Sequence, residues 1–163
     1  MSFEFWPAVF AGIIGGLVMY GMRLTMKTAG IDLKMDMMRM RGTMVNVHGG
    51  AGRAVSMLIH LGGSGLIAVI YAWLFDLLGA RDHLWLWGLL GGAIHWVFAG
   101  LFLAMVPAMH PEIPERRPAP GAFARNFGVP DVPGFLMGHV LYGVVVGILY
   151  ASFHTGGGWN AAF

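Results

Sequence analysis

Three histidines lie inside long apolar segments of the chain, where an ionisable side chain is costly and by default suggests a function. His60 is followed eleven residues later by Tyr71, and His139 is followed eleven residues later by Tyr150. Eleven residues make about three helical turns, so each histidine shares a helix face with its tyrosine. His95 lies near the middle of another apolar segment. These positions predict imidazoles held inside a group of helices.

Several kinds of chemistry suit such imidazoles, and the residue types leave them open. His60 and His139, at equal depth on different helices, can ligate haem b or a (bacterio)chlorophyll, with His95 as a further candidate. With a third donor they can bind a metal ion or relay protons. The simplest interpretation is structural. Each neutral imidazole then hydrogen-bonds across the helices, to Ser64, a tyrosine or a backbone carbonyl, and fixes the packing.

A methionine-rich stretch precedes His48 and invites comparison with copper sites, because thioethers favour Cu(I). Its methionines are Met35, Met37, Met38, Met40 and Met44. Arg39 and Arg41 lie among them and would repel a cation, and an amphipathic segment explains the spacing equally well. No nucleophile–histidine–carboxylate setting, phosphate loop or dinucleotide fingerprint occurs, so catalytic residues are not expected.

The composition favours a membrane protein. Hydrophobic residues make up 57% of the 163 residues and charged residues only 11%. A soluble domain carries about 25% charged residues. Four apolar runs, 6–22, 54–78, 84–109 and 132–153, are each near the ~20 residues that a helix needs to cross the hydrocarbon core. We therefore predict a single all-α domain over 1–163 with four transmembrane helices.

Basic residues mark one side of the predicted membrane. Lysine and arginine concentrate in the first and third connections between the runs, and only Arg81 lies in the second connection or the tails. The residues in the two basic connections are Arg23, Lys27, Lys34, Arg39, Arg41, Arg53, Arg116, Arg117 and Arg125. The positive-inside rule puts these connections in the cytoplasm and both termini outside. This placement explains the positive charge, so a nucleic-acid partner is not expected.

The two basic connections differ in character. The first, 28–53, contains a short amphipathic segment that suits the membrane interface. The third, 107–133, carries seven prolines and cannot form a long helix. We expect it to lie over the end of the helices or to contact a partner. His110, Glu112 and Glu115 lie in it and are expected in a solvated loop.

An internal repeat is predicted from two matched pairs of helices. The sequence GIIGGLV at 12–18 resembles GLLGGAI at 88–94, 76 residues later, and the His–Tyr pairs are 79 residues apart. The halves, about 6–78 and 84–153, are then two copies of a helical hairpin. A unit with two crossings keeps its orientation when it is copied. The copies are therefore parallel repeats about an axis along the membrane normal.

Small residues recur at four-residue spacing and predict where the helices meet. In lipid, helices associate through close approach of their backbones at small residues, because burial of apolar surface contributes little free energy there. The predicted packing residues are Gly12, Gly16, Gly88, Gly92, Gly143 and Gly147, with Ser64 as the equivalent in the second helix. The expected result is a compact four-helix bundle.

Taken together, these features resemble a family of small four-helix bacterial inner-membrane proteins that is catalogued as a domain of unknown function. The resemblance is carried by the glycine-rich first helix, Asp36-Met37, His60, Tyr71, Pro107, Gly138-His139 and Tyr142-Gly143. It implies the four-helix fold and a bacterial inner membrane, and with the positive-inside rule the termini are then expected in the periplasm. It implies no activity.

We therefore expect a non-catalytic accessory or assembly subunit of a larger respiratory, oxidase or photosynthetic membrane complex. Its expected partners are membrane lipid and either other membrane subunits or further copies of the chain. One alternative is an electron-transfer subunit that holds haem, a pigment or a metal through its intramembrane histidines. Another is a small transporter or channel.

Overall fold

Four long helices make up most of the computed structural model, which describes residues 2–155 and 158–163. The elements are α1 Phe5–Thr28, α2 Met37–Met44, α3 Gly49–Leu77, α4 Leu84–Met109, a 3₁₀ segment Ala122–Phe127, α5 Asp131–Phe153 and α6 Trp159–Ala162. The described residues contain no strand. The helices α1, α3, α4 and α5 are each long and apolar enough to cross a membrane. The prediction of an all-helical, multi-pass chain is confirmed at this level.

Local sequence sets where the helices begin and end. Asp36 precedes α2, and its Oδ1 accepts the backbone N–H of Arg39 at 3.0 Å, which satisfies a free donor of the first turn. Gly79 follows α3 with a left-handed φ of 66°, a conformation that glycine adopts without steric cost. Pro107 lies in the last turn of α4, which ends at Met109. These residues explain the breaks between the apolar runs.

Glycine brings the long helices into backbone contact. A Cβ atom added at Gly12 of α1 would overlap the carbonyl oxygen of Ser64 in α3. A Cβ atom added at Gly88 of α4 would overlap the carbonyl oxygen of Gly143 in α5. Helices associate in lipid through this kind of close approach. The two contacts join α1 to α3 and α4 to α5.

The other glycines at four-residue spacing lie at the same two interfaces. Gly16 of α1 lies against Ser64, and Gly92 of α4 lies against the backbone of His139. Gly147 of α5 lies against the backbone at the start of α4. In each case the neighbour is backbone or a small side chain, so a larger residue has no room.

The four long helices form an open arrangement in the order α3, α1, α5, α4. The helix α1 contacts both α3 and α5, and α5 contacts α4, whereas α3 and α4 approach each other sparsely. At the α1–α5 interface the ring of Tyr142 lies against Gly15. A gap between α3 and α4 therefore takes the place of the fourth interface of the compact bundle that the glycine pattern predicted.

A buried carboxylate attaches the first connection to α5. Asp131, the first residue of α5, is only 1% exposed. Its Oδ2 accepts the backbone N–H of Lys34 at 2.9 Å, and its Oδ1 accepts that of Met35 at 3.0 Å. Hydrogen bonds to an ionised acceptor are about twice as strong as neutral ones. The two bonds hold the chain that precedes α2 against the end of the bundle.

A second buried carboxylate attaches the proline-rich loop to the segment around α2. Glu112 accepts a hydrogen bond from His48 Nε2 at 2.6 Å and pairs with Arg117 Nη2 at 2.7 Å. The bond from His48, reinforced by the charge of Arg117, holds the pKa of Glu112 below its ordinary value of 4.5. The neighbouring His110 bonds Thr43 of α2 through Nε2 at 3.1 Å. His110 and Glu112 are therefore buried, in contrast to the solvated loop that the prolines predicted.

Gly143→Ala tests the glycine contact between α4 and α5. The added methyl group overlaps the backbone of Gly88, which cannot move aside as a flexible side chain would. We expect the free energy of unfolding in detergent micelles to fall by about 1–3 kcal/mol. Gly21→Ala on α1 is the control, because nothing lies within 4 Å of its added Cβ atom. Equal stability of the two variants would contradict this packing.

Acid should release the proline-rich loop from α2. Because the pKa of Glu112 is lowered in the fold, its carboxylate stabilises the structure above about pH 4.5, and this contribution is lost as the pH falls through the folded pKa. Glu112→Gln should loosen the loop already at pH 7, measured as faster trypsin cleavage after Arg116. Glu115→Gln is the control, because Glu115 is exposed. Cleavage of the Glu112 variant at the wild-type rate would argue against the attachment.

Candidate functional site

The gap between α3 and α4 opens into a large cleft. The helices α1 and α5 form its back wall, α2 covers one end, and the cavity measures about 1140 Å³. We call this end, where α1 and α4 finish, the basic end. Exposed residues of both flanking helices, Ile59 on α3 and Phe98 on α4, line the opening. The cleft is therefore accessible from the side of the helices and not only from their ends.

The wall of the cleft is mostly apolar and rich in methionine. Nine of the thirteen methionines of the chain line it, among them Met19, Met57 and Met105. Methionine is flexible and polarisable, and it recurs on surfaces that bind varied apolar partners. Met35 and Met40 also belong to the apolar core at the basic end. Such a wall can accept an elongated apolar molecule.

The three histidines of the apolar segments, His60, His95 and His139, all line this cleft. The rings of His95 and His139 meet edge to face, with centroids 4.8 Å apart and planes at 84°. Nδ1 of His139 donates to the carbonyl of Phe135 at 2.7 Å, which leaves Nε2 as an acceptor. Because the two rings touch, they do not enclose a planar macrocycle as a pair of axial ligands.

His60 is engaged through both of its ring nitrogens. Its Nε2 donates to the carbonyl of Gly16 on α1 at 3.0 Å, and its Nδ1 accepts from Nη1 of Arg41 at 3.1 Å. Since a guanidinium only donates, this pattern fixes a neutral imidazole with its proton on Nε2. His60 thus links α1, α2 and α3, and it can ligate a metal only after losing one of these bonds.

The two tyrosines of the predicted His–Tyr stripes both pack against Phe75 but differ in their polar contacts. Tyr71 packs edge to face against His95, with ring centroids 6.3 Å apart. Its hydroxyl is buried without a hydrogen-bond partner among the described residues. Tyr150 lies near the chain's N-terminal residues, where its hydroxyl accepts the backbone N–H of Glu4 at 3.1 Å. Three helical turns separate each tyrosine from its own histidine, so neither pair is bonded.

Tyr142, which is on the predicted His–Tyr stripe of α5 but was not predicted as a site residue, lies at the inner end of the cleft. Its hydroxyl donates to the carbonyl of Ser64 at 2.5 Å and so joins α5 to α3. Its ring packs against those of Tyr71 and His95, with centroids 5.9 Å apart in both cases. Ser64 itself also lines the cleft. An aromatic cluster therefore closes the inner end, and two of its buried polar atoms, the hydroxyl of Tyr71 and Nδ1 of His95, have no hydrogen-bond partner among the described residues.

Two arginines of the cleft stand out by their surroundings. Arg41 donates from Nε to Ser56 Oγ at 3.2 Å and from Nη2 to Met38 Sδ at 3.4 Å, in addition to its bond to His60. Nη2 of Arg23 is buried and has no hydrogen-bond partner in the described chain. Both arginines are among the residues that line the cleft.

Both arginines carry a charge that no neighbouring carboxylate neutralises directly. Burial, and to a smaller extent the charge of Arg23, lowers the pKa of Arg41 to about 10, so it remains protonated at pH 7. Within the described residues, neither arginine forms an ion pair. Arg23 and Arg41 belong to the same group of basic residues as the exposed Arg39, and all three fit the positive-inside rule. The sequence alone therefore does not show which of the three line the cleft.

The donor groups give little support to a metal site. No set of three His, Cys, Asp or Glu side chains in the described ranges is placed to hold a metal ion. His48, which follows the methionine-rich stretch, bonds Glu112 through Nε2. The stretch is accounted for by packing at the basic end, where Met35 is 1% exposed.

Comparisons of the chain with models of protein families, with curated proteins and with solved structures find no match. The resemblance to a family of small four-helix bacterial inner-membrane proteins therefore stays a prediction. The cleft and its lining are the features from which a function is inferred.

Proposed function

We propose that this chain is a non-catalytic membrane protein that holds an elongated, mainly apolar molecule in the cleft between α3 and α4. The observation that carries the proposal is the cavity of about 1140 Å³ with its largely apolar wall. Small-molecule sites in proteins measure about 300–1,000 Å³ and combine apolar walls with a few polar groups. Here the histidines, Tyr142 and the arginines are those polar groups.

Three of the polar side chains that line the cleft are engaged within the protein, which supports binding without chemical conversion of the ligand. Asp36, the one carboxylate that lines the cleft in the described chain, caps α2. His60 is bonded through both ring nitrogens, and Tyr142 is bonded through its hydroxyl. General acid–base catalysis requires a positioned group that can exchange a proton with the substrate. These three groups are instead occupied by contacts within the protein.

The proposed setting is a bacterial inner membrane, with the basic end in the cytoplasm and both termini in the periplasm. Arg23, Arg41 and Arg53 line the cleft near the basic end, which supports this orientation through the positive-inside rule. In this orientation the opening between α3 and α4 faces the lipid of the cytoplasmic leaflet. A ligand then enters sideways from the membrane.

A duplicated helical hairpin is proposed as the origin of the architecture. The contact between Gly12 and Ser64 corresponds to the contact between Gly88 and Gly143. Gly88 follows Gly12 by 76 positions, and Gly143 follows Ser64 by 79. A two-fold relation would also require α4 to pack on α3 as α1 packs on α5, but α3 and α4 approach each other only sparsely. In this account the cleft is the place where the symmetry of the two hairpins is lost.

Holding a ligand suits an accessory or assembly subunit of a larger respiratory, oxidase or photosynthetic complex, in which the chemistry occurs on another subunit. The sides of the helices present apolar surface, including the exposed Leu58, Leu66 and Phe98. Lipid, partner subunits or further copies of the chain can cover such surface.

Gly63→Leu should block the cleft. Gly63 lines the cleft, and a Cβ atom added there meets nothing within 4 Å, so the leucine fills space without a clash. We expect binding of a fluorescent apolar probe to the purified protein to weaken at least about tenfold, because each lost methylene contact contributes ~0.8 kcal/mol. Probe titration in a neutral detergent measures the effect.

Gly62→Leu is the matched control for this prediction. Gly62 is adjacent on α3, is also exposed and is equally open, but it does not line the cleft. Its leucine variant should bind the probe as the wild type does. If Gly63→Leu also binds normally, or if both variants lose binding to the same degree, the cleft is not the binding site.

A haem- or chlorophyll-binding protein is a second candidate, with His139 as the axial ligand. Its Nδ1 is held by the carbonyl of Phe135 and its Nε2 is left as an acceptor, an arrangement common among metal-ligating histidines. The cleft, with a volume of about 1140 Å³, is also large enough to hold a haem or chlorophyll macrocycle.

An absorption spectrum of gently purified protein decides between the two candidates. The second predicts a Soret or bacteriochlorophyll band that disappears in His139→Ala and persists in His83→Ala, since His83 is exposed and does not line the cleft. The absence of any such band, together with probe binding, would remove this candidate and favour the apolar ligand.

A further inference from the structure

Four basic side chains surround the part of the cleft next to α2. We call Arg23, Lys27, Arg41 and Arg53 the cationic rim. Within the described part of the chain, Asp36 is the one acidic side chain that also lines the cleft. The apolar wall therefore meets a region of net positive charge at the basic end.

No member of the cationic rim forms an ion pair within the described residues, and Arg23 and Arg41 are the two that are partly buried. Arg41 donates only to neutral acceptors, on Ser56, His60 and Met38. Nη2 of Arg23 is buried with no partner among the described residues. A charge that is buried without a counter-ion is costly, so this region is suited to receive an anion.

The carboxylates whose charges act on Arg23 are committed to other groups. Asp36 accepts the N–H of Arg39 at the start of α2, and Asp131 accepts two backbone N–H groups of the first connection. Both carboxylates attract Arg23 electrostatically, but neither forms an ion pair with it in the described structure. Arg23 is thus free to bind an external anion without breaking a salt bridge.

The apolar part of the cleft has the length of a lipid chain in one leaflet. Val106 and His95 of α4 both line the cleft. They are eleven residues apart, which corresponds to about 16 Å of helix. Half of a hydrocarbon core of ~30 Å is nearly the same distance. A hydrocarbon chain that starts at the cationic rim therefore reaches the inner end near His95.

We infer that the cleft binds a phosphorylated lipid, with its phosphate group between Arg23 and Arg41 and one hydrocarbon chain along the methionine-rich wall. The inference rests on the proposed function and adds the chemical class of the ligand. A planar guanidinium group can donate two parallel hydrogen bonds to two oxygens of one phosphate group, a geometry that an ammonium group lacks. The lateral opening between α3 and α4 lets a second hydrocarbon chain remain in the bilayer.

Displacement of the fluorescent apolar probe by two lipids with identical acyl chains tests the inference. The lipids are dioleoyl phosphatidic acid and dioleoyl glycerol, which differ by the phosphate group. We expect phosphatidic acid to bind one per chain and at least about a hundredfold more tightly than the neutral lipid, because charge-assisted hydrogen bonds to both arginines are added. Inorganic phosphate alone should not displace the probe.

Two substitutions locate the phosphate group. Arg23→Gln and Arg41→Gln should each weaken phosphatidic acid about tenfold and leave dioleoyl glycerol unchanged. Arg23→Gln keeps the test informative if Arg41→Gln, which loses the bond to His60, proves unstable. Arg39→Gln is the matched control, because Arg39 is on the same short helix as Arg41 but is exposed and does not line the cleft.

The outcomes separate the inference from the proposed function. Equal displacement by the two lipids would overturn the phosphorylated-lipid inference, and so would wild-type affinity for phosphatidic acid in both Arg23→Gln and Arg41→Gln. Neither result would overturn the proposed binding of an apolar molecule. Displacement by inorganic phosphate alone would overturn it in favour of a soluble phosphate site. Several phosphatidic acids per chain, unaffected by Gly63→Leu, would indicate lipid on the outer surface and overturn it too. No binding of either lipid or of the probe would overturn the proposed function itself.

Discussion

In lipid, helices gain little from burying apolar side chains against one another, so the closeness of their backbones decides which helices pair. Glycine permits that approach between α1 and α3, and between α4 and α5, where Gly88 and Gly143 lie backbone to backbone. Contact between α1 and α5 then joins the two pairs. None of the described glycines brings the backbones of α3 and α4 together, although the ring of Tyr71 lies against Gly91, and the space left between the two helices is the cleft.

Two buried carboxylates outside the cleft determine what covers it. Asp131 holds the chain just before α2, and Glu112 binds His48 just after α2. With both of its flanks fixed, α2 directs Arg41 toward His60 and into the electrostatic range of Arg23. The composition of the cleft therefore depends on polar contacts that lie at the end of the helices, away from its apolar wall.

The helices and their glycine contacts are predictable from sequence, because the length of an apolar run and the spacing of glycines are local properties. The gap between α3 and α4 is not predictable in this way, since the same glycines are compatible with a closed bundle. Residue spacing along one helix also does not show which side chains of neighbouring helices are in contact. Tyr71, for example, packs against His95 of α4 and does not contact His60 of its own helix. Charge alone does not distinguish the partly buried Arg41 from the exposed Arg39, because only the fold decides which of them faces the cleft.

Cysteine cross-linking in native membranes tests the open arrangement most directly, because the chain has no cysteine of its own. Gly15→Cys paired with Val146→Cys spans the α1–α5 interface, where a Cβ atom at residue 15 lies 3.2 Å from Cγ2 of Val146. Gly63→Cys paired with Phe98→Cys spans the cleft. Mild oxidation should cross-link the first pair rapidly and the second pair slowly. Rapid cross-linking across the cleft, with little across the α1–α5 interface, would contradict the account.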